Sequence, residues 1–157
     1  MRPTVYIETT IVSYLVARPS RDPIMAERQR QTREWWNTRR GDFHLRTSEL
    51  VLQEAAGGER EMARTRLGVL HGIPLVPTSP KAETLVEALV RTGLLPEKAR
   101  SDAWHIALAA TAELDYLLTW NCRHIANPAM SPRLVRICLE YLPRVPMLTT
   151  PEALLLR

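Results

Sequence analysis

Thr4-Val5-Tyr6-Ile7-Glu8 sets a short run of β-branched and aromatic residues directly against a carboxylate. Such residues fit a pleated surface, so Thr4 to Ile7 reads as a buried strand ending on Glu8. A helix through Ile11, Val12, Tyr14 and Leu15 follows, then a connection around Pro19. Asp22 can cap a helix that carries Pro23 in its first turn, where the missing N–H costs nothing, and that helix runs to about Arg40. Gly41 ends it, and Phe43 to Thr47 alternates like a second strand. Ser48 caps a helix through Ala56, closed by Gly57-Gly58, with another from about Glu59 to Leu70. A brief strand is expected at Pro74 to Val76, and helices over about Pro80 to Thr92 and Pro96 to Glu113. Asp115 to Thr119 reads as a strand, Asn121 to Pro128 as a loop, Ser131 to about Tyr141 as a helix and Pro146 to Thr149 as a last strand. Thr150-Pro151 opens a terminal helix. This alternation predicts an α/β fold, a mainly parallel central sheet with helices on both faces, in a single domain over residues 1–157.

With 157 residues, 45% of them hydrophobic, the chain can build one full core, and that apolar content excludes disorder. Cys122 and Cys138 are too few for a disulfide framework, and a reducing, cytoplasmic setting fits them. Val5 to Ala17 is broken by Glu8, Thr9, Thr10 and Ser13 and does not read as a signal peptide. No window approaches the roughly 20 apolar residues of a membrane span. The net charge is +4, and residues 18 to 46 alone carry eight arginines against four acids. That segment is either a solvated helix face or a rim facing RNA or a protein partner.

In a parallel sheet, ligands bind beyond the carboxyl ends of the strands, where strand order reverses. Glu8 sits at such an end; the competing reading is a helix-start acid that complements the dipole. Glu54 follows Leu50 and Val51 by four and three residues and so shares their inward face, unless it is a rim acid paired with an arginine. Asp102 lies three residues after Ala99 and four before Ile106 on a largely apolar helix, where an unpaired carboxylate is costly. It needs a cation, a donor or a metal, and His105, three residues on, is the available structural partner. Asn121 lies just past Thr119 at the same sheet edge as Glu8, or is simply a turn residue. Glu49 falls in a first helical turn and is assigned no chemistry. Three acids and an amide oxygen form a hard ligand set suited to Mg²⁺ or Mn²⁺, and phosphodiester hydrolysis is the chemistry such a set best supports.

The stretches Val5-Tyr6-Ile7-Glu8-Thr9-Thr10, Ser48-Glu49-Leu50-Val51-Leu52-Gln53-Glu54, Asp102-Ala103-Trp104-His105-Ile106-Ala107 and Asp115-Tyr116-Leu117-Leu118-Thr119-Trp120-Asn121 together resemble the PIN-domain ribonucleases. Within them they resemble the VapC-like toxins of toxin–antitoxin pairs. The resemblance covers nearly the whole chain. It implies catalytic roles for Glu8, Glu54, Asp102 and Asn121, with Glu8, Glu54 and Asp102 holding Mg²⁺ or Mn²⁺. The first acid is usually Asp and is Glu here; the fourth is usually Asp and is Asn here, which removes a charge from a second metal position. The resemblance also implies an RNA substrate, a small antitoxin partner and a homodimer.

Thr9, Thr119, Trp120 and His124 are the candidate substrate contacts. His124 and Asn127 equally suit loop capping, and Trp120 suits core packing as well as base stacking. Cys122, His124, Cys138 and His105 match no common zinc spacing. Two function classes follow: a metal-dependent endoribonuclease, or a PIN scaffold weakened at Asn121 that binds RNA or protein. A small-molecule phosphohydrolase and a Rossmann domain are less favoured: Glu8 lacks the neighbouring acid of the first, and no Gly-x-Gly-x-x-Gly follows the first strand for the second.

Overall fold

The computed structural model describes residues 1–156. Strand β1 (Thr4–Ile7) lies between β2 (His44–Arg46) and β3 (Tyr116–Leu118), and β4 (Met147–Thr149) extends the sheet beyond β3. All three pairings are parallel. Val5, Tyr6, Ile7, Leu117 and Leu118 have no exposed surface, as strands covered on both faces require.

The chain leaves β1 in one direction to reach β2, then returns past it to β3 and β4. The first leg carries α1 (Thr9–Val16) and α2 (Pro23–Thr38). The second carries α3 (Glu49–Ala55), α4 (Arg60–Leu70), α5 (Pro80–Arg91) and α6 (Arg100–Thr111), and α7 (Ser131–Leu139) follows β3. Helix α5 packs on both α6 and α7, whereas α2 packs on the terminal α8 (Pro151–Leu155), and α3 and α4 lie against α1.

Local chemistry sets the element ends. Asp22 accepts from Ile24 N at 2.8 Å and Met25 N at 3.1 Å, with Pro23 in the first turn of α2. Ser48 Oγ accepts from Val51 N at 3.2 Å and starts α3. At the amino end of the sheet, Asp115 accepts from Thr4 N at 2.8 Å and Thr4 Oγ1 at 3.0 Å, fastening β1 to the start of β3.

Two elements differ from the expectation. Pro74 to Val76 makes only one parallel bridge, with Thr47 N donating to Pro74 O and Val76 N to Thr47 O. Pro74 and Pro77 have no N–H to give, so the ladder cannot lengthen into a strand. The helix expected from Pro96 is divided: a 3₁₀ turn over Glu97–Ala99 precedes α6, because Ala99 leaves helical geometry at φ −102° and ψ 18°. Ser101 and Asp102 therefore lie in the first turn of α6.

The far end of α6 closes with Glu113 N bonding to Ala110 O and Leu114 N to Ala109 O, around a left-handed Glu113 at φ 56°. Glycine is the usual occupant of that position, since a side chain there costs roughly 1–2 kcal/mol. Glu113→Gly should therefore raise the unfolding free energy by about 1 kcal/mol in a urea titration.

Candidate metal centre

Strand order reverses between β1 and β3, and the residues that step off those two strands lie side by side. Glu8 N donates to Leu118 O at 3.2 Å, and Thr119 N to Thr149 O at 2.9 Å. The Glu8 side chain is only 4% exposed, and burial of an ionised carboxylate without donors is prohibitive. Its Oε1 accepts from Thr10 N at 3.1 Å, from the Thr10 hydroxyl, and from Thr119 Oγ1 at 2.6 Å. Each threonine oxygen also receives a bond, Thr10 Oγ1 from Trp120 N and Thr119 Oγ1 from Asn121 N, both at 2.8 Å. Those incoming N–H groups direct the hydroxyl hydrogens onto Glu8. Glu8 is thus at once the cap of α1 and the carboxylate at the reversal point.

Glu54 comes from the last turns of α3, on the face that looks toward α1 and α6. No arginine among the described residues pairs with it. Oε1 accepts from the Thr9 hydroxyl and meets His105 Nε2 at 2.8 Å, and Oε2 accepts from Ser101 Oγ at 2.7 Å. Partial burial opposes its charge, but the hydrogen bond from His105, with those of the Thr9 and Ser101 hydroxyls, outweighs it and holds the pKa at about 2. His105, on α6, is 1% exposed, and its Nδ1 meets the Tyr6 hydroxyl at 2.8 Å. The Tyr6 hydroxyl also meets Ser48 Oγ at 2.7 Å, and burial pushes its pKa well above the usual phenol value.

One ligand atom from each of Glu8, Glu54 and His105 falls within 4.8 Å of the others, an acidic and imidazole cluster able to hold a divalent cation. Asp102 is not among the three. Its Oδ2 meets His124 Nδ1 at 3.0 Å, with the two side chains 22% and 17% exposed. The carboxylate that the sequence places beside His105 therefore bonds to a histidine of the loop after β3, and His105 reaches Glu54 instead.

Asn121 Oδ1 accepts from His124 N at 3.0 Å, and its carbonyl accepts from Ile125 N and Ala126 N. That is the geometry of a turn residue, and it aims His124 at Asp102. Thr9 and Thr119 bind the two glutamates. Trp120 is 6% exposed, its indole N–H donates to Thr32 Oγ1 at 2.8 Å, and the Arg28 guanidinium lies 5.0 Å from its ring centre. Its faces are thus taken up by packing rather than offered to a base.

The arginines of residues 18 to 46 are largely paired where they stand. Arg30 bridges Glu27 at 2.6 Å and Glu34 at 2.8 Å, Arg39 meets Asp42 at 2.9 Å, and Arg40 lies over Trp36. The segment is a solvated helix face over most of its length.

Residues that sequence reasoning left out are Tyr6, Ser48 and Ser101 as polar partners. Tyr6 carried a signal, being the polar-tipped member of an otherwise apolar strand, but nothing local says what its hydroxyl meets. The acidity of Glu54 has a consequence for folding. A carboxyl held at about 2, against an ordinary 4.5, stabilises the fold fully above the ordinary value, and that stabilisation is lost as pH falls through about 2. The destabilisation caused by Glu54→Gln should therefore be largest above about pH 4.5 and shrink toward pH 2 when melting temperatures of the two proteins are compared.

No family model matches the chain, and no curated protein does. Among solved structures it is similar to a chain in the crystal structure of VapBC2 from Rickettsia felis bound to a DNA fragment from their promoter. The TM-score is 0.54 at 15% identity, over 94% of this chain and 98% of that one. At that identity the likeness is one of architecture, and with the four parallel strands and flanking helices it gives the chain a PIN-like α/β fold.

Proposed function

We propose that the protein is an endoribonuclease that hydrolyses RNA phosphodiester bonds with Mg²⁺ or Mn²⁺. In this reading it is the toxin of a toxin–antitoxin pair, acts in the cytoplasm, forms a homodimer and is held by a small antitoxin protein. The observation that carries the catalytic part is the convergence of Glu8, Glu54 and His105 within 4.8 Å at the point where strand order reverses. The likeness in fold to a chain of VapBC2 supports the toxin part.

Glu8 and Glu54 would hold the metal, which when bound supplies an activated water and a polarised phosphoryl oxygen. The chain's own groups do the positioning. Thr10 and Thr119 fix Glu8; Thr9, Ser101 and His105 fix Glu54. Asp102 adds a third carboxylate one helical turn before His105, and its contact with His124 sets the loop that borders the cleft. Asn121 keeps that loop in register by accepting from His124 N. Thr9, Thr119, Trp120 and His124 line or brace the rim on which RNA would rest.

The expected result is cleavage of single-stranded RNA with Mg²⁺ or Mn²⁺, abolished by EDTA and lowered about 100-fold or more by Glu8→Gln or Glu54→Gln. Cleavage that survives EDTA and both substitutions would sink the assignment. The second reading, a weakened scaffold that binds RNA or protein, is favoured by Asn121, whose amide oxygen is committed to the loop. Salt-sensitive RNA binding without cleavage, and cleavage gained in Asn121→Asp, would select it.

A further inference from the structure

Ser48, Tyr6 and His105 make an unbroken polar chain through the core, from three separate elements. They are 1%, 0% and 1% exposed, and the links measure 2.7 Å from Ser48 Oγ to the Tyr6 hydroxyl, 2.8 Å from there to His105 Nδ1, and 2.8 Å from His105 Nε2 to Glu54 Oε1. Three polar side chains in a core are costly unless each hydrogen and lone pair is used, and apolar residues of like volume would fill the same space. The one surface-facing group at which the chain ends is the Glu54 carboxylate.

We infer that His105 is a positioning residue and not a metal ligand. Its Nε2–H, fixed in place by the Ser48–Tyr6 chain on Nδ1, orients Glu54, so that the centre is an all-oxygen site for hard divalent cations. The cation preference rests on the reading under Proposed function; the role of His105 toward Glu54 does not.

Counting hydrogens decides the direction of the chain. An ionised carboxylate only accepts, so the contact with Glu54 requires the hydrogen on Nε2. A hydrogen on Nδ1 as well would turn Tyr6 toward Ser48 and leave the Ser48 hydroxyl hydrogen without an acceptor among the described residues, so Nδ1 accepts from the Tyr6 hydroxyl, and the Tyr6 oxygen accepts from Ser48, whose own oxygen already receives Val51 N. Every hydrogen has an acceptor. For His105 to ligate through Nε2, Nδ1 would have to carry the hydrogen and Tyr6 would have to donate to Ser48. The Ser48 hydroxyl hydrogen would then have no acceptor among the described residues, and Glu54 Oε1 would face a lone pair. Imidazole favours zinc and the later transition metals, whereas carboxylates with water favour Mg²⁺ and Mn²⁺. Withdrawing Nε2 from the ligand set selects the latter.

Nitrogen-15 NMR of the histidine side chains in the metal-free wild type at pH 8 reads the proton position directly and depends on no variant folding. A hydrogen on Nε2 of His105 is expected; an unprotonated Nε2 overturns the inference. With Mn²⁺ added, pulsed electron paramagnetic resonance should show no directly bound nitrogen, and a bound nitrogen that disappears in His105→Gln overturns it as well. By calorimetry, Tyr6→Phe and His105→Ala should weaken Mn²⁺ binding about tenfold or more. His105→Gln, which retains an N–H toward Glu54, should lose less, and equal losses in Gln and Ala count against the positioning role. If Mn²⁺ does not bind the wild type at all, the metal centre and its cation preference fall together, and the nitrogen-15 result alone decides what His105 does for Glu54.

Discussion

Burying a carboxylate at the end of a central strand imposes a condition that much of the surrounding structure answers. Glu8 is nearly covered, and the donors that make this tolerable come from both strands of the reversal point: Thr10 just past β1 and Thr119 just past β3. Those threonines are held in turn by Trp120 N and Asn121 N. The carboxylate therefore fixes how the chain leaves both strands, and the start of α1 and the loop toward His124 inherit their positions from it.

Tyr6 makes the second connection. In a strand, successive side chains point to opposite faces, so Tyr6 leaves the sheet away from Val5 and Ile7. On its face it meets Ser48, the cap of α3, and His105 in the middle of α6. One strand residue thus ties together the helix that brings Glu54 and the helix that brings two of its partners, Ser101 and His105. Glu8 reaches the cluster from the strand end and Glu54 from the side. The cluster is assembled by two crossovers, β1 to β2 and β2 to β3, and cannot form from any one segment.

Electrostatics divide along the same lines. The net charge of +4 matches an arginine-rich stretch, yet within α2 and the turn after it most of those guanidinium groups lie against neighbouring carboxylates or indole rings. Exposed pairs of this kind contribute little to stability individually, but they lower the field that the helix presents to an anion. None of these arginines pairs with Glu8, Glu54 or Asp102, whose partners are hydroxyls, backbone N–H groups and the histidines His105 and His124.

By itself the sequence determined the sheet, most helix starts, and the positions of Glu8 and Glu54, because these follow from local rules: alternation, capping residues, prolines in first turns, and carboxylates on apolar faces. Pro74 to Val76 escaped those rules, since its flanking prolines remove the donors a ladder needs, and so did the start of α6, where a single residue leaves helical geometry. Partner choice was decided only by the tertiary structure. The spacing of Asp102 and His105 puts both on one side of α6, but Asp102 meets His124, 22 residues on, and His105 meets Glu54, 51 residues back. Helical periodicity fixes which face a side chain leaves from; what waits across that face is set by the crossovers, and these carry no trace in the spacing of residues along a single helix.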